Sequence, residues 1–156
     1  MGAYAVQLAS HAGATVIATA SGDDEAYLNS IGASRVLDYR EAQFEKILRE
    51  KVDVVFDLVG GETQKRSFLV LKESGHLVSA VQPASQEEAA MHHVSGEMMR
   101  LAPSGDVLSR IGRLAGRGDN TTRRCDRVRT PRCSPGLEGH RRETAKGSWN
   151  VAQRIQ

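Results

Sequence analysis

Aromatic side chains make up only 4% of the 156 residues, with one Trp, three Tyr and three Phe. A core built without them must come from Val, Leu, Ile and Ala, and 40% hydrophobic content over this length suffices for one domain. Long apolar runs are missing as well. None approaches the roughly 20 residues of a membrane span, and no basic segment followed by an apolar stretch marks a signal peptide. A cytoplasmic protein with no membrane partner is expected. Cysteine is limited to Cys125 and Cys133, in RCDRVRTPRC, and this spacing supports neither a zinc site nor a cytosolic disulfide. His92 and His93 are adjacent, so their side chains diverge, and no Cys or acid stands at ligand spacing around them. No metal site is expected.

The net charge of +2 is unevenly distributed. Residues 1–116 hold 11 Lys and Arg against 15 Asp and Glu, whereas 117–156 hold 10 against 4. The chain therefore divides into a first part, 1–116, and a basic tail, 117–156.

The first part alternates helix and strand patterns. GAYAVQLASHAG reads as an amphipathic helix, and TVIATAS (15–21) as the β-branched strand after it. DDEAYLNSIGA opens with acids and closes at Gly32, a helix that starts and stops by known rules. RVLDY (35–39) is a short strand, and EAQFEKILREK is a helix with Phe44, Ile47 and Leu48 on one face. VDVVFDLVG (52–60) is the strongest strand, ETQKRSFLVLKESG a helix ending near Gly75, and HLVSAV (76–81) another strand. VSGEMMRLA (94–102) makes one more strand, and PSGDVLSRIGRLAG a helix capped by Ser104. Strands apolar on both faces and separated by helices predict an α/β fold with a doubly wound parallel sheet. In a dinucleotide-binding βαβ unit, a strand feeds a glycine-rich turn whose last glycine opens the next helix, and Gly2 stands in that place. The strand and glycines that should precede it are absent from the chain.

GAYAVQLASHAGATVIATAS, GASRVLDYR and VDVVFDLVGGETQKRSFLVLKESGHLVSAV together resemble the cofactor domain of medium-chain dehydrogenases/reductases, in the quinone-oxidoreductase-like branch that works without zinc. The resemblance covers about 1–114. It implies a Rossmann-type sheet lacking its first, central strand, and a fragment that starts at an internal GTG codon or is cut there. It places Gly2 at the pyrophosphate, Ser21, Tyr39 and Arg40 at the adenosine side, and Gly60, Gly61, Ser79 and Val81 at the nicotinamide side. Without the resemblance, each has a plain reading as a cap, a turn or a strand end. An acid at the end of the second strand would favour NAD, whereas Ser21 points to NADPH with NADH as the alternative. Asp23 and Asp24 oppose a 2′-phosphate, and Arg40 is the nearest compensating cation. The implied partners are a nicotinamide dinucleotide and, in full-length relatives, a quinone or enone that receives its hydride, with room for a homo-oligomer. No catalytic residue is assigned. A non-catalytic nucleotide-binding or regulatory module, or a methyltransferase-type fold, is the alternative.

Asp57 reads equally as a ligand-facing group at the sheet's carboxyl edge and as a strand-end carboxylate bonding to backbone amides. The missing central strand predicts two half-sheets with bare apolar edges, prone to aggregation, and weak or no cofactor binding. The tail, irregular and basic, reads as the product of a shifted reading frame, as a disordered segment, or as a polyanion-binding arm. The last is the least favoured, because no aromatic platform for nucleic acid accompanies the charge.

Overall fold

The structure is a computed structural model that describes residues 1–100, 102–116 and 150–154. Helix α1 (Gly2–His11) buries Val6 and Gln7. Gly13, at φ +84°, turns the chain after it into β1 (Thr15–Ala20). A single 3-10 turn (Gly22–Asp24) leads to α2 (Glu25–Ser30), and Gly32, at φ +106°, sits beside the Ser10 side chain at its end. Then come β2 (Arg35–Asp38), α3 (Phe44–Ile47), β3 (Val52–Asp57), α4 (Gly61–Leu69) and β4 (Leu71–Ser79). They are followed by α5 (Gln86–Met91), β5 (Ser95–Met98), α6 (Gly105–Gly116) and β6 (Asn150–Arg154). Ser104 caps α6 as its sequence predicts, its Oγ accepting from Val107 N at 3.2 Å.

These strands form one sheet in the order β2-β1-β6-β3-β4-β5. The pairs β1–β2, β3–β4 and β4–β5 are parallel, which is the arrangement expected from strands apolar on both faces. One core cluster gathers Val6, Val16, Ala18, Leu28 and Ile31 around β1. The other gathers Phe44, Val55, Phe68, Leu71 and Leu77 around β3 and β4. Phe68, Leu71 and Leu77 are fully buried. Each contributes about 1.5–3 kcal/mol by leaving water.

Three expectations are corrected. The helix over ETQKRSFLVLKESG stops at Leu69, because the continuous apolar run from Phe68 to Leu71 passes directly into β4. Gly75 lies inside that strand, where a Cβ would meet Lys72 O at 2.8 Å and Asp53 O at 3.1 Å. The helix over EAQFEKILREK shrinks to the single turn α3. The amides of Glu41 and Ala42 bond back to Asp38 O, and Leu48 is already extended. Finally, the centre of the sheet is not bare. Strand β6 runs there antiparallel, pairing Thr15–Thr19 with Arg154–Asn150 on one side and Val54–Phe56 with Gln153–Val151 on the other. The remainder of the basic tail, 117–149 and 155–156, lies outside the described residues.

Candidate functional site

The parallel strands end together at Ala20, Asp38, Asp57 and Ser79, and the loops that follow form one edge of the sheet. Helix α1 runs back along β1, which brings Gly2 at its N-terminus to the same edge. Seven of the eight residues singled out in the sequence lie at this edge in two groups, and the eighth, Gly2, begins α1. Ser21, Tyr39 and Arg40 follow β1 and β2, while Gly60 and Gly61 follow β3, Ser79 ends β4 and Val81 lies just beyond it.

Asp38, which sequence reasoning passed over, organises the first group. Its Oδ2 accepts from Gly22 N at 2.7 Å, and its Oδ1 accepts from Arg40 N at 2.8 Å. The two loop backbones are pinned to one carboxylate, and a Cβ at position 22 would stand 2.8 Å from Asp38 Oδ2, so a larger residue there would push on the carboxylate that holds the loops. The Ser21 hydroxyl donates to Asp24 Oδ2 at 3.0 Å. The Arg40 guanidinium lies 5.8 Å from the centre of the Tyr39 ring and 4.0 Å from Asp23. Hydrogen bonding to Tyr39, followed by the negative charge of its neighbours, pushes the Arg40 pKa up, so its charge is permanent.

Between the two groups lies a cavity of about 100 Å³, walled by Thr19, Tyr39, Phe44, Val59, Thr63 and Arg66. Its lining combines an aromatic ring, apolar surface and hydroxyls. Arg66 stacks on Phe44 at 5.5 Å, reaches Thr63 Oγ1 at 3.4 Å and pairs with Glu45 at 3.5 Å. Among the described residues, the buried atoms Arg66 Nε and Glu45 Oε2 have no hydrogen-bond partner.

On the far side, Asp57 is fully buried and accepts four hydrogen bonds. Oδ1 takes the amides of Val59 and Gly60, both at 2.9 Å, and Oδ2 takes Gln64 Nε2 at 3.0 Å and Ser79 Oγ at 2.9 Å. Of its two sequence readings, the strand-end carboxylate that holds backbone amides describes its contacts. Ser79, also fully buried, accepts from the amides of Val81 and Gln82 at 3.3 Å, so its hydroxyl faces the protein. Val81 is half exposed at the surface of the edge. Gly60, at φ +76°, and Gly61, at φ +57°, adopt conformations that a side chain would strain. A Cβ on Gly60 would also stand 2.9 Å from Gln82 Oε1. Gln64 and Gln82 carried no sequence signal of their own. Their role is visible only once α4 and the loop after β4 are brought beside Asp57.

Among the described residues, no three His, Cys, Asp or Glu side chains gather to hold a metal ion, and no helix is long and apolar enough to cross a membrane. A sheet whose β1–β2 and β3–β4–β5 pairs are parallel, with glycine turns and a cavity at their carboxyl edge, has the Rossmann-like fold. Residues 1–101 match the zinc-binding dehydrogenase family, and the chain belongs to that family, within the medium-chain dehydrogenase/reductase superfamily. It is 31% identical over 109 residues to a mitochondrial NAD(P)H oxidoreductase of Danio rerio, covering 67% of this chain and 28% of that protein. The quinone oxidoreductase of Coxiella burnetii superposes with a TM-score of 0.70 at 33% identity, covering 74% of this chain and 37% of that one. The Escherichia coli quinone oxidoreductase, solved in complex with NADPH, superposes with a TM-score of 0.63 at 25% identity, covering 76% of this chain and 42% of that one. The chain therefore spans well under half the length of each of these proteins.

Proposed function

We propose that this chain is the cofactor-binding portion of an NADPH-dependent, zinc-independent reductase of quinones or enones. One observation carries the reading: the cavity walled by Tyr39 and Val59 lies at the carboxyl edge of the sheet, between the Asp38-pinned loops and the Gly60–Gly61 turn. The cavity, with aromatic and apolar walls and the hydroxyls of Thr19 and Thr63, suits the flat heteroaromatic adenine, and Ser21, Tyr39 and Arg40 lie towards the ribose and its 2′-phosphate. A phosphate there would take the place of Asp23, whose side chain is 92% exposed and free to swing away from Arg40. Gly2, at the start of α1, faces the pyrophosphate with the amides of a helix N-terminus. Gly60, Gly61 and Val81 flank the nicotinamide, which supplies a hydride when bound. The residues of this chain hold and orient the cofactor. A cytoplasmic location belongs to the same proposal.

Titration of the 156-residue chain with NADPH, NADH and S-adenosylmethionine, followed by nicotinamide emission and calorimetry, tests this. NADPH should bind with a Kd of roughly 0.1 mM, about 5.5 kcal/mol, with NADH weaker and S-adenosylmethionine silent. Binding of S-adenosylmethionine in preference to both dinucleotides would overturn it.

A further inference from the structure

We infer that Gln82 is a positioning residue for the nicotinamide half of the site, acting through a directed chain of hydrogen bonds that begins at Asp57. The inference rests on the dinucleotide reading above. Its direction is set by donor and acceptor chemistry. The Asp57 carboxylate offers only acceptors, so Gln64 must turn Nε2 towards it, and does so at 3.0 Å. That leaves Gln64 Oε1 facing outward, where it accepts from Gln82 Nε2 at 3.2 Å. Gln82 Oε1 is then left to accept from Gly61 N at 3.1 Å. Each amide orientation is forced by the one before it, from a fully buried anion to the partly exposed turn.

The chain closes on itself through the backbone. Asp57 Oδ1 holds Gly60 N, Asp57 Oδ2 holds Ser79 Oγ, and Ser79 Oγ holds Gln82 N. The loop after β3 and the loop after β4 are thereby locked together as one unit. Gly60 and Gly61 have positive φ and no Cβ to fix them, so their geometry is held from outside, Gly60 by Asp57 and Gly61 by Gln82. The adenosine side has its own clamp at Asp38, separate from this chain. Disturbing Gln82 should therefore loosen one half of the site and leave the other intact.

A glutamate at position 82 makes this testable with a chemical switch. Ionised, it still accepts from Gly61 N but sets a second acceptor against Gln64 Oε1, and the chain breaks. Protonated, its hydroxyl donates to Gln64 Oε1 and its carbonyl accepts from Gly61 N, and the chain is restored. The need to donate favours the protonated form and moves its titration above the ordinary glutamate value.

The experiment measures NADP⁺ and 2′,5′-ADP affinities of the wild-type chain, Gln82→Glu and Gln82→Ala by calorimetry between pH 8 and pH 5. At pH 8 both variants should bind NADP⁺ about tenfold more weakly than wild type, with 2′,5′-ADP affinity changed less than about twofold. On acidification, Gln82→Glu should recover relative to wild type, while Gln82→Ala should not. Parallel loss of both ligands, NADP⁺ affinity at wild-type level, or a Gln82→Glu deficit that does not change with pH would each overturn the inference. A wild-type chain that binds neither ligand would refute the dinucleotide reading first and this inference with it, and would show before any variant is made.

Discussion

Replacing Asp57 with Ala removes two acceptor oxygens, and the four hydrogen bonds they receive, from a place water does not reach. Gly60 N, Gln64 Nε2 and Ser79 Oγ are left in buried surroundings, since Gln64 is 1% and Ser79 0% exposed. Val59 N lies in a half-buried loop and can be hydrated. An unmade bond to a buried donor costs about 1–3 kcal/mol, and three such donors give a ceiling near 9 kcal/mol. The Ser79 hydroxyl can rotate, and the cavity left by the carboxyl group has room for water, so about 4 kcal/mol is expected. Asp57→Asn keeps Oδ1 for the two backbone amides but turns a donor towards Gln64 and Ser79, which should cost about 2 kcal/mol. Urea unfolding of the three proteins gives both values from the shift in midpoint multiplied by the slope. An Asp57→Ala loss below about 1 kcal/mol would mean that the buried network does not hold the edge together, and the reasoning would fail.

Other expected outcomes probe separate parts of the molecule. Ala152 pairs with Ile17 on one side and Val55 on the other, so Ala152→Pro strips a donor from the central strand and should destabilise the fold by about 2–4 kcal/mol in urea. An unchanged midpoint would show that β6 contributes nothing to the sheet. Gly32→Ala forces a side chain into φ +106° and against Ser10, and thermal unfolding should report a loss of about 2 kcal/mol or more. Arg40→Ala should weaken NADPH about fivefold while leaving NADH unchanged, and the difference should shrink as salt is raised. Equal effects on the two dinucleotides would remove Arg40 from the phosphate site.

Most of the architecture was legible because its signals are local. The β-branched runs TVIATA and VDVVFD, the stop at Gly32 and the cap at Ser104 each depend on neighbouring residues, and the structure places them where those residues require. What failed depends on distance. Nothing in FLVLK separates the end of a buried helix from the start of a buried strand, since both are simply apolar. NVAQR, the sequence of β6, carries no strong strand signature, and only the open slot between β1 and β3 gives it one. The same holds for the site. Glycines announce a turn by themselves, but Asp38, Gln64 and Gln82 acquire their roles from groups 16, 7 and 18 or more residues away.

The central claim is that the carboxyl edge of the sheet is the dinucleotide site, and backbone amide shifts measured during a titration with NADPH test it most directly. The account predicts that Gly22, Tyr39, Arg40, Gly60 and Gly61 move together and saturate with one affinity, while Gly13, Ser34 and Lys51 at the opposite edge stay still. Shifts centred on that opposite edge, or scattered without saturation, would contradict it.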